Sequence, residues 1–261
     1  MINIYNLSLE ALKSELAELD IKPYVANQIF SWLYNKLEPE ISRWTNISRK
    51  NQELLRSRFD THLSRTEKVE TDSSGTRKYL LKLKDGLLIE AVSIRESDHY
   101  TFCISSQVGC PLKCAFCATG KMGFFRNLDQ AEILSQIILL KQALGDYSQK
   151  LNLVFMGMGE PMLNFDNLTA ALEIITSELG LNIAQRNITV STSGFLENIK
   201  KLEQAFNKIK ISFSLNSPDN KRREILMPVS KKEKLGPILD YFKRQSRKFR
   251  ITFEYVLIRD L

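Results

Sequence analysis

From residue 101 onward the chain alternates between short strand-like runs and longer helical patterns, and this alternation constrains the fold most strongly. Strand-like runs occur at 101–105, 151–156, 187–191, 209–215 and 250–258, and helical patterns lie between them at 128–144, 164–179, 196–206 and 235–245. Such alternation predicts parallel strands joined by crossover helices. We therefore expect an α/β fold, built as a barrel or partial barrel with its chemistry on the loops after the strands.

The chain before residue 99 has two other patterns. Residues 1–62 indicate helices: Ser8 is a candidate N-cap, a second helix spans 22–36, and a third spans 51–59. Residues 77–84 and 87–94 alternate as strands on either side of an Asp-Gly hairpin turn. We expect a helical module over 1–62, a β connection over 63–98 and the main domain over 99–261. The module is either an RNA-contacting unit or a small cap packed on the main domain.

Composition places the chain among ordinary globular proteins. Its 261 residues are 43% hydrophobic and 26% charged, which excludes disordered, collagenous and coiled-coil classes. The amino terminus lacks the layout of a signal peptide, and no run approaches 18 apolar residues, so we expect a cytoplasmic protein that does not enter membranes. The net charge of +7 permits an anionic partner such as nucleic acid.

All four cysteines lie between residues 103 and 117, and three of them form a C-x3-C-x2-C pattern. A disulfide framework would spread its cysteines along a secreted chain. A zinc site would need a fourth ligand, and the chain has only two histidines, His62 and His99. A four-cysteine ferredoxin site would need Cys103 as its fourth ligand, across a gap of six residues. Three thiolates on a four-iron cluster would leave one iron open for a ligand. The alternative is that the cysteines pack as small hydrophobic residues.

The segment TFCISSQVGCPLKCAFCATGKMGFFRNL, residues 101–128, resembles the RlmN/Cfr family of radical S-adenosylmethionine (SAM) RNA methyltransferases, which methylate a carbon of adenine. The resemblance implies a radical SAM partial (βα)6-type barrel, of which about five units are present, behind the helical module and hairpin. It also implies that Cys110, Cys114 and Cys117 hold a [4Fe-4S] cluster, whose open iron is chelated by SAM.

Three further loops follow predicted strands. The loop at 156–161, Met-Gly-Met-Gly-Glu-Pro, has glycines that allow a close backbone approach and a carboxylate that can meet an ammonium group, although alone it would be an ordinary turn. The loops at 191–194 and 214–216 offer hydroxyl and amide groups, and either could simply cap a helix. The resemblance implies that SAM is bound by Gly159, Glu160, Ser191, Ser214, Leu215 and Asn216. Many family members have histidine where this chain has Asn216.

Two further residues gain a role only from the resemblance. Glu90 lies in LLIEAVSI, where alternation alone indicates a solvent-facing position, but the family has a general base here. Cys103 matches a redox residue that forms a transient disulfide with a methyl-carrying cysteine near the C-terminus. No cysteine follows Cys117, and the chain stops at an apolar strand. We therefore expect a fragment or truncated product that binds a cluster without turnover.

Basic clusters provide candidate RNA contacts. They occur at 221–223, 231–234 and 243–248, although each is also typical of a solvated helix face, and Lys121 and Arg126 follow the cysteine loop directly. The resemblance implies ribosomal RNA and transfer RNA as substrates, an electron donor such as flavodoxin or ferredoxin, and a monomer. The cysteine loop does not separate methylation at adenine C2 from methylation at C8, and we favour C2 because it is the more widespread activity. The alternatives are a Cfr-type C8 methyltransferase, another radical SAM enzyme such as a glycyl-radical activator, and a non-catalytic iron–sulfur or zinc RNA-binding protein.

Overall fold

The computed structural model describes residues 1–146, 150–245 and 250–259, and its central feature is a mixed eight-stranded sheet. The strands in chain order are β1 (Ile2–Asn3), β2 (Phe59–Asp60), β3 (Arg65–Thr71), β4 (Arg77–Lys82), β5 (Leu88–Arg95), β6 (Tyr100–Cys103), β7 (Gln107–Gly109), β8 (Phe124–Asn127), β9 (Leu151–Phe155), β10 (Ile188–Thr192), β11 (Lys210–Ser214) and β12 (Ile251–Glu254). The α-helices are α1 (Leu9–Glu18), α2 (Val25–Phe30), α3 (Arg49–Arg58), α4 (Ala118–Met122), α5 (Gln130–Leu144), α6 (Phe165–Thr176), α7 (Leu196–Ala205), α8 (Asn220–Leu226) and α9 (Leu235–Gln245).

The sheet has a parallel half and an antiparallel half. Its order is β12-β11-β10-β9-β6-β5-β4-β3, and neighbours from β6 to β12 pair in parallel. The crossover helices α5, α6, α7 and α9 connect successive parallel strands. The predicted α/β alternation is therefore confirmed. Each predicted strand and crossover helix is present, most of them with ends that differ by a few residues from the prediction.

Register assigns the parallel strands one apolar and one polar face. Phe102 pairs with Leu153, and Val190 pairs with Ile211; all four are buried in the hydrophobic core. On α9, the ring of Phe242 lies 5.5 Å from that of a phenylalanine on β11, so this helix packs on the apolar face. The polar residues alternate with these and share the opposite face of the sheet. In barrels of this kind, ligands bind where the carboxyl ends of the strands meet the following loops.

The antiparallel half begins with the predicted hairpin. Strands β4 and β5 flank the Asp85-Gly86 turn and pair in register, and β3 adds a further antiparallel strand that the sequence patterns did not identify. Strand β5 then pairs with β6, so the predicted β connection extends the same sheet as the parallel strands.

The helices at the amino terminus are packed on α5. The predicted cap at Ser8 is confirmed, since its Oγ accepts a hydrogen bond from the Ala11 N–H at 3.1 Å. The predicted second helix begins as α2 and continues as a π-helical turn at Ser31–Asn35. Gln130 of α5 donates to the Tyr5 carbonyl at 2.7 Å, and the same hydrophobic core spans both regions. Within the described ranges, no helix is long and apolar enough to cross a membrane.

Candidate active site at the carboxyl ends of the parallel strands

The cysteine loop leaves β7 and is held closed by backbone contacts. The Cys110 N–H donates to the Gly123 carbonyl at 2.9 Å, and the Ala115 N–H donates to the Leu226 carbonyl of α8 at the same distance. Gly109 has φ +75°, and a Cβ there would lie 1.9 Å from the Gly123 carbonyl oxygen, so only glycine fits this turn. The loop is thereby pinned at its entrance and at α8.

Cys110, Cys114 and Cys117 lie close to one another within this loop. Burial raises the pKa of the Cys110 thiol to about 11 and that of Cys114 to about 12, and the neighbouring Cys117 and Glu160 add to both shifts. All four cysteines of the chain are free, so the structure does not support the disulfide implied by the resemblance.

The donor set fits an iron–sulfur cluster. Thiolates are the ligands such clusters require, and metal binding deprotonates thiols that are otherwise neutral. In the part of the chain that the structure describes, no three histidine, cysteine, aspartate or glutamate side chains are arranged to hold a single metal ion.

The glycine loop after β9 packs against the strand that leads to the cysteines. The Ser106 N–H donates to the Met158 carbonyl at 2.8 Å, and the Gly157 N–H donates to the Ile104 carbonyl at 3.1 Å. Gly159 has φ +103°, and a Cβ there would lie 2.6 Å from Cβ of Gln107. The sequence suggested that these glycines admit a ligand; in the structure they admit a neighbouring backbone segment.

Glu160 is a buried carboxylate beside the cysteine loop. Its side chain is 3% exposed, and its two oxygens accept hydrogen bonds from the N–H groups of Ser193 at 2.8 Å and Met162 at 3.1 Å. Burial raises the pKa of Glu160. Among the described residues, no lysine or arginine forms an ion pair with it, so this acid can still neutralise the cation of a ligand.

The hydroxyls of two predicted ligand residues, Ser191 and Ser214, bind the carboxylate of Glu254. Glu254 was not among the site residues predicted from the sequence. Both hydroxyls donate to Glu254 Oε2 at 3.2 Å, and the Ser212 hydroxyl donates to Oε1 at 2.7 Å. Burial raises the pKa of the Cys103 thiol to about 11, and the charge of Glu254 adds to the shift. Cys103 and this carboxylate therefore share one face of the sheet.

A signal for Glu254 was present in the sequence. In the run Ile251–Glu254, the polar residues Thr252 and Glu254 alternate with the apolar ones. Period-two alternation places both polar side chains on one face of the strand. What the sequence could not supply is the register with β11, which sets Ser214 opposite Glu254.

The side chains of Asn216 and its neighbours are engaged in holding loops together. Asn216 is buried with φ +55°; its amide nitrogen donates to the Met227 sulfur at 3.1 Å, and its carbonyl oxygen accepts from the Val256 N–H at 3.1 Å. The Leu215 carbonyl accepts a bond from Arg223 at 3.0 Å. The predicted ligand tripeptide is thus ordered by contacts to α8 and to the segment after β12.

The prediction that the basic cluster at 221–223 contacts RNA is wrong for Arg223. Arg223 is fully buried, so its guanidinium cannot contact RNA. The guanidinium donates to the carbonyl oxygens of Ser193 at 2.8 Å and Ser214 at 3.1 Å and to the Ser230 hydroxyl. It therefore ties the loop after β10 to the loop after β11. The two preceding residues of the cluster are exposed.

Glu90 and Cys103 lie on the same face of the sheet, on neighbouring strands. Val92 pairs with Cys103, and Glu90 lies two residues earlier on the same face of β5. The Ser105 hydroxyl donates to the Glu90 carbonyl at 2.6 Å. The Glu90 side chain is 48% exposed, and its Oε1 lies 3.2 Å from Lys78 Nζ. The two predicted catalytic residues therefore lie on one face of the sheet, with Glu90 exposed and Cys103 half-buried.

The other basic groups differ in availability. Arg126 binds Glu132 through two N–H···O contacts of 2.7 and 2.8 Å and Asp85 at 2.7 Å, so its charge is already satisfied. Lys121 is exposed. The cluster at 231–234 includes one ion pair to α8, and residues 246–248 of the last cluster lie outside the described residues.

Comparison with known proteins covers both parts of the chain. Residues 104–261 match the model of the radical SAM superfamily, and residues 2–60 match that of the ribosomal RNA large subunit methyltransferase N-terminal domain. A protein of Aquifex aeolicus named "Probable dual-specificity RNA methyltransferase RlmN" is 42% identical over 98% of this chain and 74% of its own length. A protein of the same name from Thermotoga maritima is 40% identical over 100% of this chain and 76% of its own length.

A solved structure has the same fold. The crystal structure of a radical SAM methyltransferase from Sphaerobacter thermophilus superposes with a TM-score of 0.94 at 33% identity, covering 100% of this chain and 77% of that one. The chain thus spans about three quarters of the length of the proteins it matches.

Proposed function

The chain belongs to the RlmN family of radical SAM RNA methyltransferases, and on that premise we propose that its active site serves the methylation of carbon 2 of adenine in 23S ribosomal RNA and in transfer RNA. The observation that carries the proposal is the proximity of the buried Glu160 to the thiols of the cysteine loop, beside a sheet face that bears Glu90 and Cys103. Relatives named for dual-specificity RNA methylation support an RNA substrate over a small molecule.

Cys110, Cys114 and Cys117 would hold a [4Fe-4S] cluster. When bound, this cluster and SAM supply the radical chemistry that an unreactive ring carbon of adenine requires. Glu160 would bind the SAM ammonium group, because it is a buried acid that meets only N–H and hydroxyl donors in the described chain. The backbone of Gly159 would border that group, and residues 214–216 with Ser191 would bind the remainder of SAM.

Glu90 would accept the proton that leaves the adenine carbon. Its carboxylate is partly exposed, which allows a nucleobase to approach within hydrogen-bonding distance. Cys103 would act as the redox residue on the same substrate. Burial raises the pKa of its thiol to about 11, which favours the protonated thiol.

The surface around the cysteine loop suits a flipped base. Four apolar side chains are exposed there beside Lys121: Phe116, Met122, Phe124 and Phe125. Aromatic rings stack on bases, and lysine attracts phosphate, so this rim would receive an unpaired adenine from structured RNA. We infer further that the chain acts as a cytoplasmic monomer, with flavodoxin or ferredoxin as its electron donor.

Two measurements test the proposal. Anaerobic reconstitution should give about four irons per chain and an electron paramagnetic resonance signal that changes when SAM is added. RNA from cells lacking the gene, digested to nucleosides and analysed by mass spectrometry, should lose 2-methyladenosine from 23S rRNA and tRNA. Zinc in place of iron would reject the enzyme, and loss of 8-methyladenosine instead would assign C8 chemistry.

A further inference from the structure

Glu254 gathers three hydroxyl groups from two neighbouring strands. Ser191 of β10 and Ser214 of β11 both donate to Oε2 at 3.2 Å, while Ser212 donates to Oε1 at 2.7 Å. Thr252 in turn donates to the Ser212 hydroxyl at 3.0 Å. The two carboxylate oxygens thus accept hydrogen bonds from different partners. Oε2 accepts from both predicted ligand residues, and Oε1 accepts from Ser212, which is 2% exposed.

This arrangement fixes the polarity of the two outer hydroxyls. A serine hydroxyl has one proton to donate and two lone pairs that accept. Because Ser191 and Ser214 give their protons to the carboxylate, only their lone pairs remain for a ligand. Both side chains are half-buried, whereas Ser212 is enclosed, so the outer pair lies at the open side of the site.

The backbone around these hydroxyls is held from the opposite side. Arg223 donates to the Ser214 carbonyl at 3.1 Å, and Ser191 pairs within the parallel sheet opposite Ser212. Turning either hydroxyl to a new partner would break its part-buried hydrogen bond to the carboxylate.

We propose that Glu254 is a positioning residue, which holds Ser191 and Ser214 as hydrogen-bond acceptors and so makes this part of the site select the ribose hydroxyls of SAM. The inference rests on the proposed function, since it takes SAM as the ligand. Ribose hydroxyls can donate to the serine oxygens. The SAM carboxylate can only accept, and the charge of Glu254 repels it, so this subsite excludes the amino-acid end of the cofactor.

The variant Glu254→Gln reverses the polarity while preserving shape. The amide oxygen of glutamine can still accept from Ser212, and its two N–H groups can donate to Ser191 and Ser214. Those two serines would then direct their protons at the ligand, where the ribose hydroxyls also have protons to donate. A residue with a purely structural role would show no such change in ligand preference.

The experiment measures binding of SAM and of its 2′-deoxy and 3′-deoxy analogues to the anaerobically cluster-loaded chain by equilibrium dialysis. Wild type should bind at least one deoxy analogue about 3- to 10-fold more weakly than SAM, the worth of one hydrogen bond. In Glu254→Gln this ratio should fall to about one through weaker SAM binding. Thr252→Val is the matched control: it removes a hydroxyl from the same strand face and should keep the wild-type ratio.

The outcomes separate the two proposals. Equal wild-type affinity for SAM and both deoxy analogues overturns the role of Glu254, as does an unchanged ratio in Glu254→Gln. If thermal melting shows that Glu254→Gln is unfolded, the double variant Ser191→Ala, Ser214→Ala should abolish the preference with Glu254 intact, and its failure to do so overturns the inference. A wild-type chain that binds no SAM rejects the proposed function itself, and this inference with it.

Discussion

The parallel and antiparallel halves of the sheet hold their acidic groups in opposite surroundings. Next to the parallel half, Glu160 is 3% exposed and receives hydrogen bonds from backbone N–H groups such as that of Ser193. On the antiparallel half, the Glu90 side chain is 48% exposed and pairs with Lys78 at 3.2 Å. One carboxylate is desolvated and without a counter-cation among the described residues, while the other is hydrated and paired.

The difference follows from what covers each half. Crossover helices and loops enclose the parallel strands, whereas β3 is exposed along its whole length at the antiparallel edge. Electrostatic contacts strengthen where water is excluded, so the enclosed half suits tight binding of a small charged cofactor. The open half leaves room for a folded RNA to reach Glu90. Variants in the enclosed half should therefore have larger effects than variants in the open half.

The largest expected effect is the loss of cluster binding, which should distinguish the loop cysteines from Cys103. Cys114→Ala should abolish cluster binding, because it removes one of three thiolates from the loop, while Cys103→Ala should retain about four irons per chain. Iron analysis and the visible absorption band measure both. Equal iron loss in the two variants would mean that Cys103 is a ligand, and the division between the enclosed and open parts of the site would fail at this residue.

Glu160→Gln should weaken SAM binding by about 10- to 100-fold, since it removes a charge-assisted hydrogen bond to the ammonium group. Equilibrium dialysis with the cluster-loaded chain measures this. Glu90→Gln serves as the control from the open half and should bind SAM like wild type. Equal losses in both variants would show that the two carboxylates do not differ in the way proposed.

Glu160 should also make the folding stability of the chain depend on pH. Burial raises the pKa of Glu160 above its ordinary 4.5, so the folded state favours the protonated acid. This contribution to stability is full below pH 4.5 and is lost as pH rises through the raised value. Without SAM, the melting temperature of wild type should therefore fall relative to Glu160→Gln over that rise. A constant difference across the range would contradict the buried-acid assignment.

Arg223→Lys should lower the free energy of unfolding by about 2–4 kcal/mol, because a single ammonium cannot satisfy the carbonyls of Ser193, Ser214 and Leu215 together. Denaturant unfolding measures the loss. Arg222→Lys, at an exposed neighbouring position, is the control and should be near neutral. A neutral Arg223→Lys would mean that the loops after β10 and β11 are held by other contacts.

The sequence predicted the parallel strands and crossover helices because their apolar faces repeat with clear periods. It also predicted α1, whose N-cap is Ser8. It did not identify β3, since both faces of that strand are exposed and its polar run lacks the apolar alternation that marks strands. The apolar alternation of a sequence thus identifies strands that bury one face, and it does not identify a strand such as β3 in which neither face is buried.

The candidate site was predicted unevenly for a related reason. The cysteines and the glycine loop are contiguous motifs, so their positions could be read directly from the chain. Glu254 gains its role from hydroxyls on other strands, and Arg223 gains its burial from loops that fold over it. The only local signal for Glu254 is its place in an alternating strand, and this does not reveal its partners on the other strands. Arg223 lies in a basic helix, and that pattern does not reveal its burial.

The smallest expected effect is that of Lys78→Gln in the open half. Lys78 lies between Glu90 at 3.2 Å and Glu70 at 3.5 Å, but all three side chains are at least 45% exposed, so water replaces the ion pairs at little cost. We expect the melting temperature to change by no more than about 2 °C, and less at high salt, where such pairs are screened anyway. Lys82→Gln, whose partner is Glu67 at 3.7 Å, is the matched control on the same strand. A drop several times that of the control would show that the open half depends on its charges as the enclosed half does.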